Sequence, residues 1–250
     1  MGRNPRQDKI LSLLQNFRQI SVVDLTERLG VSQVTIRKDL TTLEEQGLIL
    51  RSHGGARLAQ AMNQVSTVST RKEEFYDQKD RITSKAIELI QEGDSVCIDA
   101  SSTNLLLAEK ISSFPLRVIT NSLEIMRTLS SSRDLTLTAV GGNFREEAGS
   151  FIGPIAENAV RQLQFDIAFI GATGISREGD FLTHNTIEGQ LKKAMLKAAR
   201  RRIILADSSK YEARSFSKFA NPELIDVLIT DRGFRAIELF RNLGIEVITV

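Results

Sequence analysis

The chain has 250 residues, 41% hydrophobic and 26% charged, a globular rather than disordered or fibrous composition with length enough for two domains. Its one cysteine, Cys97, excludes an internal disulfide, and with His53 and His184 as the only histidines it lacks the clustered thiolates and imidazoles of a zinc finger. The net charge of +2 identifies no partner, but residues 1–60 hold nine Lys/Arg against six acids and the remainder 24 against 25, so the front of the chain is mildly basic, which permits contact with phosphates.

No apolar run reaches the length of a membrane span, and Met1-Gly2-Arg3-Asn4-Pro5-Arg6 leads into a polar helix instead of an apolar signal core. Gly2 suits myristoylation, but Arg6 stands where that motif takes Ser or Thr. A cytoplasmic protein with no membrane partner is expected. Ile10, Leu13, Leu14 and Phe17 recur at helical spacing and form one apolar face. Ser21-Val22-Val23-Asp24 is a capping box that opens a second helix, with Val22, Leu25 and Leu29 inward and Gly30 as its stop. Ser32 caps a third helix whose buried stripe is Ile36, Leu40 and Leu43. Leu48 to Arg51 reads as a strand and Gly54-Gly55 as a tight reversal. Helix, helix, short turn, helix and hairpin outline a winged helix-turn-helix over residues 1–57. Residues 58–74, with Ser66, Thr67, Ser69 and Thr70 and no sustained period, read as a linker, with order of part of it against the next domain left open.

Residues 75–250 alternate strands and helices. Short β-branched runs lie at 96–98, 118–120, 135–140, 167–170, 203–205, 227–229 and 247–249. Helical stretches lie near 79–91, 103–112, 122–131, 155–163, 187–200 and 234–243. This alternation predicts an α/β fold with a mainly parallel sheet, whose ligands sit at the carboxyl ends of the strands.

On the third helix, Ile36 sets the inward direction, so Val34, Lys38 and Thr41 point away from the core, with Thr35 and Arg37 on the flanks. Small β-branched residues beside two cations suit a DNA major groove. The competing reading is a solvated face of a bundle helix, and the turn before and hairpin after it favour DNA.

Ser32-Gln33-Val34-Thr35-Ile36-Arg37-Lys38-Asp39-Leu40, then Leu43-Glu44, then His53-Gly54-Gly55-Ala56, resembles along the whole chain the DeoR family of bacterial sugar-operon regulators. The resemblance implies an N-terminal winged helix-turn-helix and a C-terminal sensor domain related in fold to ribose-5-phosphate isomerase and CoA transferases. Gln33 and Thr35 are the expected base readers, with Ser32 at the helix start. Arg37 and Lys38 are expected on phosphate or guanine. Asp39, an acid beside DNA, reads as structural, capping or pairing with a base of its own domain. His53 at the wing tip is either a phosphate donor or a turn residue.

Several strand ends carry hydroxyls, amides or glycines. Each by itself is an ordinary helix cap, but five on one sheet edge fit a phosphate-binding rim. They match the family's sensor motifs, and by that resemblance Asp99, Ser101, Ser102, Thr103, Asn121, Gly141, Gly142, Gly174, Asp207 and Lys210 are pocket candidates, for an effector that is typically a phosphorylated sugar. Ala100 and Ser101 stand where many members carry Gly. Asn185 and Glu188 are expected nearby, on ligand hydroxyls. Glu188 and Lys192, four apart, read first as a helix-stabilising pair, Arg200-Arg201-Arg202 as cations at a helix end, and Cys97 as inert packing.

The function expected is a ligand-switched transcription factor, a repressor of a carbohydrate-utilisation operon, binding double-stranded operator DNA as a homo-oligomer, dimer or tetramer. No catalytic residue, metal site or cofactor is expected. The alternative is a sugar-phosphate isomerase-like enzyme with an appended DNA-binding module, with Glu188, Asp99 or Asp207 as base and Lys210 as electrophile. No nucleophile–base motif supports it.

Overall fold

Polar side-chain caps set the helix starts in the first unit of the computed structural model, which describes residues 4–16, 20–46, 48–52, 54–58 and 68–250. The chain divides into two units, Met1–Val65 and Ser66–Val250. In the first, α1 (Pro5–Asn16), α2 (Val22–Leu29) and α3 (Gln33–Glu45) pack beside β1 (Ile20–Ser21), β2 (Ile49–Ser52) and β3 (Gly55–Leu58). Ser21 Oγ accepts from Asp24 N at 3.0 Å, and Ser32 Oγ from Thr35 N at 3.3 Å. Gly30 ends α2 in the left-handed region at φ 65°. Ile10, Leu14, Leu25, Ile36, Leu40, Leu43 and Ile49 form the core, while the expected core residue Phe17 lies outside the described residues. The sheet order is β1-β3-β2, antiparallel throughout. A Cβ at position 55 would stand 2.4 Å from the Ile20 carbonyl oxygen, so the close approach of β1 to the hairpin requires glycine there.

Asp39 is the polar member of this core. It is 4% exposed, and its carboxylate accepts from Arg6 Nε at 2.5 Å, Gln7 Nε2 at 3.4 Å and Asn4 Nδ2 at 3.5 Å. The start of α1 is thereby tied to the middle of α3, and the acid read as structural pairs with a base of its own domain.

The second unit opens with α4 (Val68–Glu73) and α5 (Tyr76–Ile87). Residues 68–73, inside the expected linker, are thus helical. There follow β4 (Ser95–Ile98), α6 (Ser102–Ile111), β5 (Arg117–Thr120), α7 (Leu123–Leu129), β6 (Thr136–Ala139), β7 (Asn143–Arg145), β8 (Ser150–Ile152), α8 (Pro154–Arg161), β9 (Phe165–Gly171), β10 (Gly174–Ile175), β11 (Phe181–Thr183), α9 (Thr186–Lys197), β12 (Ala199–Leu205), β13 (Ser217–Ala220), β14 (Val227–Thr230), α10 (Ile237–Asn242) and β15 (Glu246–Thr249). The seven expected strands are the strands of one sheet, in the order β15-β14-β12-β9-β4-β5-β6, with every pairing parallel. The small antiparallel pieces, β7-β8 and β10-β11-β13, had no sequence signal because two to four residues are too few to show a period.

Right-handed crossovers put helices on opposite faces when the chain advances across a sheet in opposite directions. Accordingly α5, α6 and α7 cover one face, over Val96, Ile98, Val118 and Phe169. The other face lies under α8, α9 and α10, over Cys97, Ala168, Ile170 and Ile204. From β4 the strand order runs one way and from β9 the other, so the two central neighbours form a topological switch point, where parallel sheets open a crevice at their carboxyl ends.

Asp39→Ala should remove about 1.5–3 kcal/mol, the range for hydrogen bonds to a charged group. Amide exchange in α1 of the full chain measures this. Unchanged protection of α1 would show that Arg6 and Asp39 do not hold the first unit together.

Candidate DNA interface and effector site

Short turns between α2 and α3 leave one face of α3 uncovered. Ser32, Gln33, Val34, Arg37, Lys38 and Thr41 are exposed, Val34 at 78%, and Thr35 is half-buried. An isolated valine that exposed makes no contribution to a core and suits contact with a thymine methyl. Thr35 Oγ1 lies 3.0 Å from Ser32 Oγ, which fixes the first turn. Arg51 on β2 reaches Thr41 Oγ1 at 3.3 Å, and its backbone N–H donates to Glu44 Oε1 at 3.3 Å, so the hairpin is latched to the same helix. His53 lies outside the described residues.

In the second unit, Asp99 follows β4 and Gly171 ends β9, side by side at the switch point. Asp99 is 2% exposed. Its Oδ1 accepts from Gly171 N at 3.0 Å and Asn104 Nδ2 at 2.5 Å, and its Oδ2 from Lys192 of α9. Lys192 is 5% exposed and also donates to the Gly171 carbonyl at 3.0 Å. The Glu188–Lys192 helix pair expected from spacing is secondary: their charged atoms are 3.5 Å apart, while the main partner of Lys192 is Asp99, distant in sequence and invisible to a local pattern. Burial works against the Lys192 charge, but Asp99 and Glu188 hold the ammonium above its ordinary range. Glu188 accepts from Thr183 Oγ1 at 2.9 Å and from Arg145 at 2.7 Å. Burial opposes its ionisation too, yet Lys192, Thr183 and Arg145 keep its pKa below the ordinary value.

Ser101 caps α6, accepting from Asn104 N at 3.1 Å, and Ser102 and Thr103 are buried in the first turn, where backbone N–H groups have no partner within the helix. Asn121 follows β5, and its Nδ2 donates to the Phe151 carbonyl at 2.9 Å. A small cavity of about 10 Å³ lies between Asp99, Asn121, Ser150, Glu188 and Lys192, room for about one water. Asp207 follows β12 and caps a short 3-10 turn, Ser208–Lys210, accepting from Ser209 N at 3.1 Å, with Lys210 Nζ 3.8 Å from its Oδ2.

Other candidates stand apart from this cluster. The Asn185 amide caps α9, bound to Ile187 N at 2.9 Å and Glu188 N at 3.1 Å. Gly142 and Gly174 sit where the Ile152 and Ala213 carbonyl oxygens occupy the place of a Cβ, 2.7 Å and 2.2 Å away, so each serves backbone packing, and Gly141 precedes the first of them after β6.

Sequence reasoning read Lys192 first as a helix-stabilising partner and missed Asn104, Arg145, Arg71 and Lys79. Lys79, on α5, is 2% exposed, and its Nζ donates to the carbonyl of Arg71 on α4. Burial pushes its ammonium down to about 8, against the pull of Asp207. Burial likewise lowers Arg71, against Glu188 and Asp99. Their one sequence signal was charge in a stretch otherwise read as linker and helix.

Among the described residues, the buried polar side-chain atoms without a hydrogen-bond partner are Arg71 Nε, Asn104 Oδ1, Asn121 Oδ1, Ser150 Oγ, Asp207 Oδ2 and Thr230 Oγ1. Asn121 and Asp207 follow strands and Thr230 ends one at the carboxyl edge of the main sheet, Asn104 lies in the first turn of α6, and Ser150 lines the cavity beside Asp99. Buried polar atoms are nearly always satisfied, so such a gathering marks a place built for another group. A larger open groove of about 780 Å³, between the ends of α8 and α9, lies at the amino end of β9 and holds none of these atoms.

A helix-turn-helix with an open recognition face, joined to an α/β unit with a polar crevice, defines a DNA-binding protein with a sensor domain. Residues 6–62 match the DeoR-like helix-turn-helix domain and residues 74–232 the DeoR C-terminal sensor domain. The chain belongs to the DeoR family. It is 34% identical to the HTH-type transcriptional repressor GlcR of Bacillus subtilis, over 93% of this chain and 90% of that protein. It is 31% identical to the glycerol-3-phosphate regulon repressor of Escherichia coli K12, over 92% of each. Among solved structures it is similar to ribose 5-phosphate isomerase A of Neisseria gonorrhoeae, at 17% identity and TM-score 0.40, over 54% of this chain and 53% of that one. The chain is a transcriptional regulator and not an enzyme, as its relatives are, and the isomerase alternative falls. No helix of the described residues is long and apolar enough to cross a membrane.

Asp99→Ala would strand the Lys192 ammonium in the crevice and should cost about 3–5 kcal/mol. Lys192→Met should cost less, because Asp99 keeps its Gly171 and Asn104 donors. Denaturant melts of both variants test the ranking, and equal losses would contradict it.

Proposed function

We propose that the chain represses a carbohydrate-utilisation operon in the cytoplasm and is relieved or modulated by a phosphorylated sugar held at the carboxyl edge of the sensor sheet. The observation that carries this reading is the cluster of unpartnered buried polar atoms along that edge, beside half-buried Lys210 and the first turn of α6. Hydroxyls, amides and carboxylates suit sugar hydroxyls, and cations with helix-start N–H groups suit a phosphate. A relative whose name specifies the glycerol-3-phosphate regulon supports the phosphorylated class.

In this reading residues 1–57 read double-stranded operator DNA, and the second unit, which already includes α4 of the expected linker 58–74, senses the effector and assembles the homo-oligomer, a dimer or tetramer, that spaced half-sites require. Gln33 and Thr35 read bases, and Arg37 and Lys38 take phosphates. The cavity beside Asp99 is far smaller than the roughly 300 Å³ of a small-molecule site. The effector therefore binds an opened form of the crevice better than this closed one, and that difference in affinity is what shifts the protein between states.

Operator binding by the full chain, titrated with a panel of sugar phosphates and the matching free sugars, tests the reading. A phosphorylated member should change operator affinity where its free sugar does not. Equal effects from both forms would remove the phosphate from the reading, and no effect from any would remove the effector class.

Arg37→Ala and Lys38→Ala should each weaken operator and random DNA alike and lower the salt slope of binding by about one unit. An unchanged slope with altered base preference would place that side chain on a base edge instead.

A further inference from the structure

The outward sides of α8 and α9 form a face that the sensor role leaves without a task. Each helix leads into a parallel strand, β9 or β12, so both run from the carboxyl toward the amino edge of the sheet. At their starts the surface is apolar. Ile155 on α8 is 67% exposed and Ile187 on α9 44%, and Phe144 of the β7–β8 hairpin is 48% exposed. The Phe144 ring lies 5.2 Å from that of Phe151, and a Cβ at Gly153 would stand 4.0 Å from Ile187 Cγ2, so hairpin and helices share one patch. Toward the helix ends the groove of about 780 Å³ is basic, with Arg161, Lys193, Lys197 and Arg200 against one acid, Glu157. Arg161 and Arg200 have local acids in Glu157 and Asp166, at 3.4 Å and 3.6 Å. Lys193 and Lys197 are exposed and four apart, where like charges repel along a helix. The hairpin turn lies at the carboxyl edge, where the Gly149 carbonyl accepts from Leu123 N at 2.9 Å, and it carries exposed Glu146 and Glu147. The face is thus acidic at one end, apolar in the middle and basic at the other.

Such an arrangement is complementary to itself. A two-fold axis through the apolar middle carries the acidic end of one copy onto the basic end of the other. The geometry points to this face as the contact between two copies of the chain, with Phe144, Ile155 and Ile187 of each packed across the axis and Glu146 and Glu147 of one opposite Lys193 and Lys197 of the other. This gives the homo-oligomer of the reading above its surface, and rests on that reading. The area is sufficient. With large side chains at about 150–250 Å² each, the exposed parts of the apolar patch come to roughly 300 Å² per copy, within the range of contiguous patches that mark contact sites. A standard interface buries about 800 Å² per partner, somewhat over half of it apolar. The aliphatic stems of Lys193 and Lys197 and the groove between the helices supply the remainder. One consequence concerns the switch. α9 holds Lys192 on its buried side, at the crevice, and Ile187, Lys193 and Lys197 on its exposed side, so a shift of this helix at the crevice is felt at the contact between copies.

The test is sedimentation of the full chain over a range of protein concentrations. The wild type should form a dimer or a larger even-numbered assembly at micromolar concentration. Ile155→Glu with Ile187→Glu, both at exposed positions, should halve that assembly. So should each charge reversal, Lys193→Glu with Lys197→Glu in one chain and Glu146→Lys with Glu147→Lys in another, each weakening association by about tenfold or more, because like charges then meet across the axis. Mixing the two reversed chains should restore association, since each acidic turn again faces a basic groove, and a variant that had merely misfolded would not be rescued in this way. Weakened variants without rescue on mixing would mean another pairing of the face and overturn the inference. A wild-type assembly that all three variants keep would place the contact elsewhere, overturning this inference while leaving the oligomer reading intact. A wild type that stays monomeric would overturn both and leave the face to a different partner.

Discussion

The buried contact between Asp99 and Lys192 is the interaction on which the sensor unit's architecture turns. It joins the end of β4 to α9 across the switch point, and Gly171, at the end of β9, bonds to both partners through its N–H and carbonyl. A Cβ at Gly171 would come 2.4 Å from Ser101 Cβ, so the two strand ends meet only because that residue is glycine. The Lys192 ammonium would not be tolerated there without Asp99, since an isolated buried ion costs several kcal/mol, whereas Asp99 has donors of its own in Gly171 and Asn104. The pair thus fixes where α6 and α9, on opposite faces of the sheet, approach one another.

The same economy of buried charge organises the first unit on a smaller scale. Asp39 sits on α3 among apolar residues and is satisfied by the start of α1. Its side of the helix is thereby closed, and the polar and cationic side of α3 remains open. One helix holds the module together through one face and leaves the other open, so a substitution on one face need not disturb the other.

In the proposed reading the small space at the crevice has a functional meaning. Small-molecule binding requires volume, and the space beside Asp99 admits about one water. Polar atoms left unpartnered along the edge lower the cost of opening it, because fewer protein–protein hydrogen bonds must be broken. In the proposed reading a ligand that supplies those partners favours an opened form over this one, which is the condition for a switch.

Periodicity and turn chemistry in the chain alone were enough for the winged helix-turn-helix, the seven strands of the parallel sheet and the helices between them. Each of these is a local pattern: Ser21 and Ser32 as caps, Gly30 as a stop, the Ile36-Leu40-Leu43 stripe, the β-branched run at Val96-Cys97-Ile98. The motifs at the strand ends were legible too, because small polar residues after a strand cluster in sequence. What the tertiary structure decided was long-range. Strand order, and with it the place of the crevice between β4 and β9, depends on crossover direction, which no single segment encodes. The partner of Lys192 proved to be Asp99 rather than the nearer Glu188, since burial and not spacing chose it. Arg71 and Lys79 carried no local signal beyond their charge, and only the packing of α4 and α5 against the sensor fold buries them.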